Sequence, residues 1–403
     1  GQPERLAAYT RDELCNSTSE LRALAMIPRR TLGADGNPNN HTVINFTSLP
    51  KEMTFNDDNL VSVIAYSCLF FVAASGNLIV CITLSRYRGI KSRVNMFIMH
   101  LAIADLMVAF IMLPLETVWH ITVSWNAGDV ACRILMFFRA FGFYLSSFVL
   151  VSISLDRYFS IVHPLRIHDA NYRGKIMLVF SWIISAASSA PQSVIFHVEM
   201  HPRYTWFKQC VTLNFFPTPM HELAYLLFTC ITVYVIPLVI IIFAYTAILV
   251  KICQNAKLGK EQTISQTNGD GNNFTTSRSI RSARMCLRRS NIGRLQKARI
   301  RTFKMTLVIV IAFIVCWTPY FFISAIWWFD KELARTVLDQ KVQRGLFIFA
   351  VSNSCVNPII YGMFTTSLRK EAARWKDLFQ RRLSRMGLHA AKQLTLEQNI
   401  AMT

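Results

Sequence analysis

The stretch Val94–Trp119 reads VNMFIMHLAIADLMVAFIMLPLETVW, predominantly apolar with two acids, Asp105 and Glu116. About 20 apolar residues let a helix cross the ~30 Å of hydrocarbon in a bilayer. This stretch is long enough. An acid in mid-span is costly and needs a partner or a water-filled cavity, so Asp105 marks function. Outward from here the pattern repeats. Leu60–Leu84, Ile176–Phe196, Leu223–Val250, Met305–Phe329 and Gly345–Phe364 carry no charge, and Val130–Val162 carries only Arg133, Arg139, Asp156 and Arg157. Seven spans result. They are expected to be helices, because lipid offers backbone groups no hydrogen-bond partner. The expected fold is an all-α membrane protein, a seven-transmembrane helix bundle.

The 403-residue chain is 53% hydrophobic and 16% charged, too few charges for an ordinary soluble protein of this size. Its formal charge of +20 is placed unevenly. Arg86–Arg93 has four basic residues and no acid, and Lys251–Lys304 has thirteen against Glu261 and Asp270. The first 58 residues have six basic and eight acidic residues. Basic and non-basic segments alternate along the chain, so the basic ones all fall on one side of the membrane. This pattern predicts a multi-pass plasma-membrane protein with the N-terminus outside and the C-terminus in the cytoplasm. The basic excess then faces anionic membrane lipid and the acidic rim of a cytoplasmic partner; nucleic acid is not an expected partner. Since Gly1 opens the sequence, a leader has been removed or the first span serves as the signal.

Three regions follow. Residues 1–58 read as an extracellular arm with glycosylation sequons at Asn16, Asn40 and Asn45. Residues 59–364 form the bundle, with a long third cytoplasmic loop at about 252–302. Residues 365–403 form the cytoplasmic tail. Its start, Thr365–Gln380, spaces Leu368, Ala372, Trp375 and Phe379 as a short amphipathic eighth helix on the membrane surface. Most of the ten cysteines sit in or beside spans, where they act as small apolar filler. Cys15, Cys132 and Cys210 fall outside, and a Cys132–Cys210 bridge is expected, with Cys15 unpaired or paired elsewhere.

The mid-span acid has neutral company. Ser146 in the third span and Asn353, Ser354 and Asn357 in the seventh stand at matching depth. One carboxylate among neutral oxygens suits a small hard cation, sodium above all, or a water network. A protonated Asp105 serving only as structural glue is the alternative. No other cofactor or metal is expected. At the far end of the third span, Asp156-Arg157-Tyr158 places adjacent opposite charges that can pair, and Leu165 follows as an apolar knob after a proline. Cys316-Trp317-Thr318-Pro319 and Asn357-Pro358-Ile359-Ile360-Tyr361 put prolines within spans, as does Pro237. Each removes a helix hydrogen bond and makes a local hinge.

Asn77 in Ser75-Gly76-Asn77, Leu101–Asp105, Cys132, Asp156-Arg157-Tyr158, Trp182, Pro237, Cys316–Pro319 and Asn357–Tyr361 together resemble the rhodopsin-like G-protein-coupled receptors, over about residues 60–380. Met99–Leu106, Phe137-Phe138-Arg139, Ile326–Asp330, and Gly345-Leu346-Phe347 with Asn353-Ser354-Cys355 look like the gonadotropin-releasing-hormone receptor superfamily. Within it they look closest to arthropod adipokinetic-hormone, corazonin and adipokinetic/corazonin-related peptide receptors. The resemblance implies a short amidated peptide hormone as ligand. It also implies a heterotrimeric G protein of the Gq type acting through phospholipase C and calcium, with receptor kinases and arrestin as further partners. Activation residues would be Asp156, Arg157, Tyr158, Tyr245, Trp317, Pro319, Pro358 and Tyr361, with Arg157 and Leu165 meeting the G protein. The start of the sixth span departs from relatives that lock Arg157 to an acid there: it offers Arg299, Arg301 and Lys304 and no carboxylate.

The candidate peptide site lies in the outer half. Glu116 stands about three turns outward of Asp105, and Arg139 two turns inward of Cys132 on the same face. They either engage the peptide or pair only with each other. Trp119, Trp125, Tyr320, Phe321, Trp327, Trp328 and Phe347 lie at this level, with His120 and Gln343 as hydrogen-bonding groups. Aromatics with a few polar groups suit a peptide carrying aromatic side chains. Other functions fit less well. A retinal linkage needs Lys in Gly345–Phe364, which has none, and an amine site needs an acid where Arg139 stands. Five charge-free spans argue against a channel or transporter. An enzyme is not expected, for no nucleophile elbow, metal cluster or phosphate loop is present.

Overall fold

The computed structural model describes residues 53–86, 93–163, 169–202, 204–267, 278–329 and 340–364; side chains of 255–299, Trp327 and Gln340 are not described. The arm with Asn16, Asn40 and Asn45, Cys15, Leu165 and the eighth helix all lie outside the described residues. Seven helices are long and apolar enough to cross a membrane. They are α1 (Asp57–Arg86), α2 (Arg93–Thr122), α3 (Gly128–Val162), α4 (Ala170–Ile195), α5 (Pro219–Gln254 within a longer helix), α6 (Arg278–Phe329) and α7 (Lys341–Phe364). Between α4 and α5 the chain makes an antiparallel hairpin, β1 (His197–Met200) with β2 (Lys208–Val211). The all-α expectation did not include this hairpin. Large apolar side chains such as Phe71, Phe180, Ile183, Phe243 and Phe322 cover the outside, as lipid contact requires and water would not.

Prolines shape the helices. In α2 a π turn at Val108–Met112 precedes Pro114, and in α5 a π turn at Ile231–Val235 precedes Pro237. Proline cannot donate to the carbonyl four residues back, so the ladder widens just before it. The Leu113 N–H reaches Val108 O, and the Ile236 N–H reaches Ile231 O. In α7 the helix breaks at Ser352, and Pro358 leaves Ser354 O without its normal donor. The side chain of Asn77 on α1 replaces that donor: its Nδ2 donates to Ser354 O at 3.0 Å and to Ala73 O at 3.0 Å. Gly76 makes room for this approach, since a Cβ there would stand 2.7 Å from Pro358 Cγ.

Small polar residues pack α4 against α3. Ser181, Ser185 and Ser189 each donate to the carbonyl four residues back, and Ser152 of α3 meets Ser181 at 2.9 Å. Their hydroxyls are thus satisfied inside the bundle, and their small size lets backbones approach.

Candidate functional site

At the hairpin end, Cys132 at the start of α3 is bonded to Cys210 of β2. The hairpin is held further by Val198 N–H donating to Asp129 at 2.9 Å and Arg133 Nε to the other oxygen of Asp129 at 2.7 Å. Beneath the bridge lie Trp119, Trp125 and Met136. Trp119 Nε1 donates to Gln209 Oε1 at 2.8 Å and its ring meets Trp125 edge-on at 5.1 Å. Gln209 Nε2 donates in turn to Val123 O at 2.7 Å. Val123 ends α2 with φ 58°, a conformation that a β-branched side chain resists. The Gln209 amide therefore pins a strained turn.

One layer deeper, Arg139 Nη2 lies 2.7 Å from Glu116 Oε1. Arg139 also sits over the Phe347 ring, 5.6 Å from its centroid. Phe347 contacts Tyr320 at 5.4 Å, and Tyr320 contacts Phe321 at 5.4 Å. Phe321 stacks on Tyr234 at 4.8 Å and on Trp317 at 5.7 Å. This aromatic run leads from the ion pair down to Trp317, which also meets Phe143 at 5.1 Å. His120 stacks on Tyr66 of α1 at 5.7 Å. Trp328 and Gln343 are half-buried at the same end, and Trp327 lies outside the described side chains.

In the middle of the bundle Asp105 is wholly buried. Asn357 Nδ2 donates to its Oδ2 at 2.8 Å, and Ser146 Oγ approaches its Oδ1 at 3.5 Å, long for a hydrogen bond. Ser354 is within reach of the same carboxylate. No hydrogen bond joins Asn353 to it, but the amide oxygens of Asn77, Asn353 and Asn357 are buried without donors. Lone acceptors around a carboxylate fit a small hard cation or water. The Tyr361 hydroxyl is likewise buried without a partner.

At the opposite end Asp156 is fully buried and holds two cations. One is its neighbour Arg157, and the other is Arg93 of α2, at 2.8 Å. Tyr158 lies 6.0 Å from Phe243 of α5, and Tyr245 lies 5.5 Å from Phe303 of α6.

Three participants escaped sequence reading. Tyr66 looks like ordinary core, and Arg93 reads only as one basic loop residue among several. Arg344 sits just outside the charge-free stretch that defined the seventh span. Its buried guanidinium Nη1 has no partner.

With this geometry in place, the comparisons are specific. A family model described as "7 transmembrane receptor (rhodopsin family)" matches residues 76–361. The chain is 35% identical over 348 residues to the gonadotropin-releasing hormone II receptor of Clarias gariepinus, covering 84% of this chain and 86% of that protein. It is 34% identical over 330 residues to the gonadotropin-releasing hormone receptor of Octopus vulgaris, covering 81% and 76%. To the gonadotropin-releasing hormone receptor of Sus scrofa it is 35% identical over 278 residues, covering 68% and 77%.

Proposed function

Since this chain belongs to the rhodopsin family of seven-transmembrane receptors, and within it to the gonadotropin-releasing-hormone receptor group, we propose that it is the receptor for a short amidated peptide hormone. It is a multi-pass membrane receptor and not an enzyme. The hairpin end faces outward, and the Arg157 end meets a heterotrimeric G protein. The carrying observation is the Glu116–Arg139 ion pair under a bridged hairpin, bordered by Tyr320, Phe321 and Phe347. A small amine would need an unpaired acid on α3 at this level, where Arg139 stands. Blocked peptide ends offer carbonyl and N–H groups, which a charged pair can bind without a net charge on the ligand.

The ligand belongs to the adipokinetic-hormone, corazonin and gonadotropin-releasing-hormone class, and the partner is a Gq-type protein that raises calcium through phospholipase C. Receptor kinases and arrestin engage the same cytoplasmic end. A sodium ion at Asp105 serves as an allosteric ligand; Ser146, Asn357 and Ser354 are the groups that would hold it. Expressed receptor is to be screened by calcium flux against amidated arthropod neuropeptides and gonadotropin-releasing hormones. A concentration-dependent response to one of these peptides, absent from mock-transfected cells, is expected. Silence toward all of them, with the receptor at the surface, contradicts the reading.

A further inference from the structure

The hairpin end contains a cation that the Glu116–Arg139 pair does not use. Arg344 is half-buried on the first turns of α7, and its Nη1 is shut away from solvent with no hydrogen-bond partner. Three described acids at this end are paired elsewhere: Glu116 to Arg139, Asp58 to Lys341 and Asp129 to Arg133. No described acid forms an ion pair with Arg344. It is close enough to act electrostatically on both His120 and Tyr66, the stacked pair joining α2 to α1. Arg344 therefore stands beside the Tyr66–His120 stack and close to the Glu116–Arg139 pair, with no described acid paired to it.

A guanidinium nitrogen shut away from water without an acceptor is costly. Structure that serves stability alone would have turned this long, flexible side chain out to water. A guanidinium presents two parallel N–H donors, which match a planar group with oxygen acceptors.

We propose that Arg344 is a second anchor of the ligand site and takes a planar oxygen acceptor of the peptide, a carboxamide or a carboxylate, with His120 alongside. This rests on the peptide-receptor reading above and adds to it which part of the ligand meets α7. The acceptor has two sources in a short amidated peptide: its C-terminal carboxamide, or an acidic or amide side chain.

The test uses full-length receptor and the most potent amidated peptide of the calcium screen. Wild type, Arg344→Ala and Arg344→Lys are matched for surface expression. Each is titrated with the parent peptide, with an analogue lacking the C-terminal carboxamide, and with analogues in which each Asp, Glu, Asn or Gln is changed to Ala. Arg344→Ala is expected to lose at least about 10-fold in potency, the range for a hydrogen bond to a charged group. Arg344→Lys recovers part of it, because the fork is lost. One analogue loses potency on wild type but little further on Arg344→Ala, and it names the source of the acceptor. Potency of Arg344→Ala within about 3-fold of wild type overturns the proposal, since a lost charged hydrogen bond costs more. So does a loss that adds independently to that of every analogue, as a merely structural residue would give. A wild-type receptor that answers no peptide overturns the receptor reading before any Arg344 variant is compared, so the two failures are distinct.

Discussion

Arg139 of α3 and Glu116 of α2 form an ion pair of 2.7 Å one layer below the Cys132–Cys210 bridge, and the Arg139 side chain keeps more exposure than the Glu116 side chain, 27% against 9%. The asymmetry matters for function. The acid is sealed and the arginine is open, so an entering ligand meets the guanidinium first. The Arg139 guanidinium meets Glu116 through Nη2, approaches Met136 Sδ through Nη1 at 3.6 Å and lies over the Phe347 ring. The pair braces α2 against α3, and in the proposed function it is also a docking point. Spacing alone leaves open whether the two residues engage the peptide or serve only each other, and the double-mutant cycle below separates the readings.

The bridge anchors the layer above. Cys132→Ser or Cys210→Ser should free β2, and with it the Gln209 amide that holds Trp119 and the Val123 turn. Loss of surface expression or of peptide binding is expected in both, measured by flow cytometry and radioligand binding. Normal binding by both variants would remove this role.

The α1–α7 contact is open to a stability measurement. Asn77→Ala removes the donor that replaces the missing proline N–H at Ser354 O. A buried carbonyl left unpaired costs about 1–3 kcal/mol, so the purified receptor should melt at a lower temperature. An unchanged melting curve would show that water replaces the amide at no cost.

What the sequence disclosed depended on how local the signal was. The spans were visible because each is a continuous apolar run, and Asp105, Arg157 and Pro358 stood out because charges and prolines are rare within such runs. The bridge followed from the position of Cys132 and Cys210 outside them. The π turns were not visible, although Pro114 and Pro237 cause them, because proline gives no indication of whether a ladder kinks or widens. Trp119 read as a pocket aromatic, but its indole N–H is taken by Gln209, a partner far along the chain. Arg344 fell outside the seventh span because a hydropathy boundary cannot distinguish a charge in the loop from one turned into the bundle. Arg93 was lost among neighbouring basic residues for the same reason.

At the Arg157 end, Asp156 is shared between Arg157 and Arg93. In the proposed function, Arg157 leaves Asp156 to meet the G protein as α6 swings about Pro319. Arg157→Ala should keep peptide affinity and lose the calcium response at matched expression. A surviving response would contradict this role. Arg93→Ala leaves Asp156 with Arg157 as its one described cation and should lower thermal stability by about 1–3 kcal/mol, with peptide affinity preserved. No loss of stability would show that the Arg93 contact contributes nothing.

The Asp105 network yields a salt experiment. If sodium is held by Asp105 with Ser146, Asn357 and Ser354, replacing choline chloride by sodium chloride at constant ionic strength should weaken agonist binding to wild type. Asp105→Asn should abolish that sensitivity, because the carboxylate supplies the charge that binds the cation. Equal sodium dependence in both proteins would contradict the site.

The central claim is that Glu116 and Arg139 hold the peptide, and a double-mutant cycle on peptide potency tests it most directly. Arg139→Ala should lower potency at least about 100-fold, since it strips a buried carboxylate of its partner and removes a ligand contact. Arg139→Lys should not fully restore it, because the fork geometry is lost. If each residue contacts the peptide, Glu116→Ala/Arg139→Ala is worse than either single variant at equal surface expression. That is the expected result. Recovery of most potency in the double variant would mean that the two residues serve only each other, and unchanged potency in Arg139→Ala would remove the site altogether.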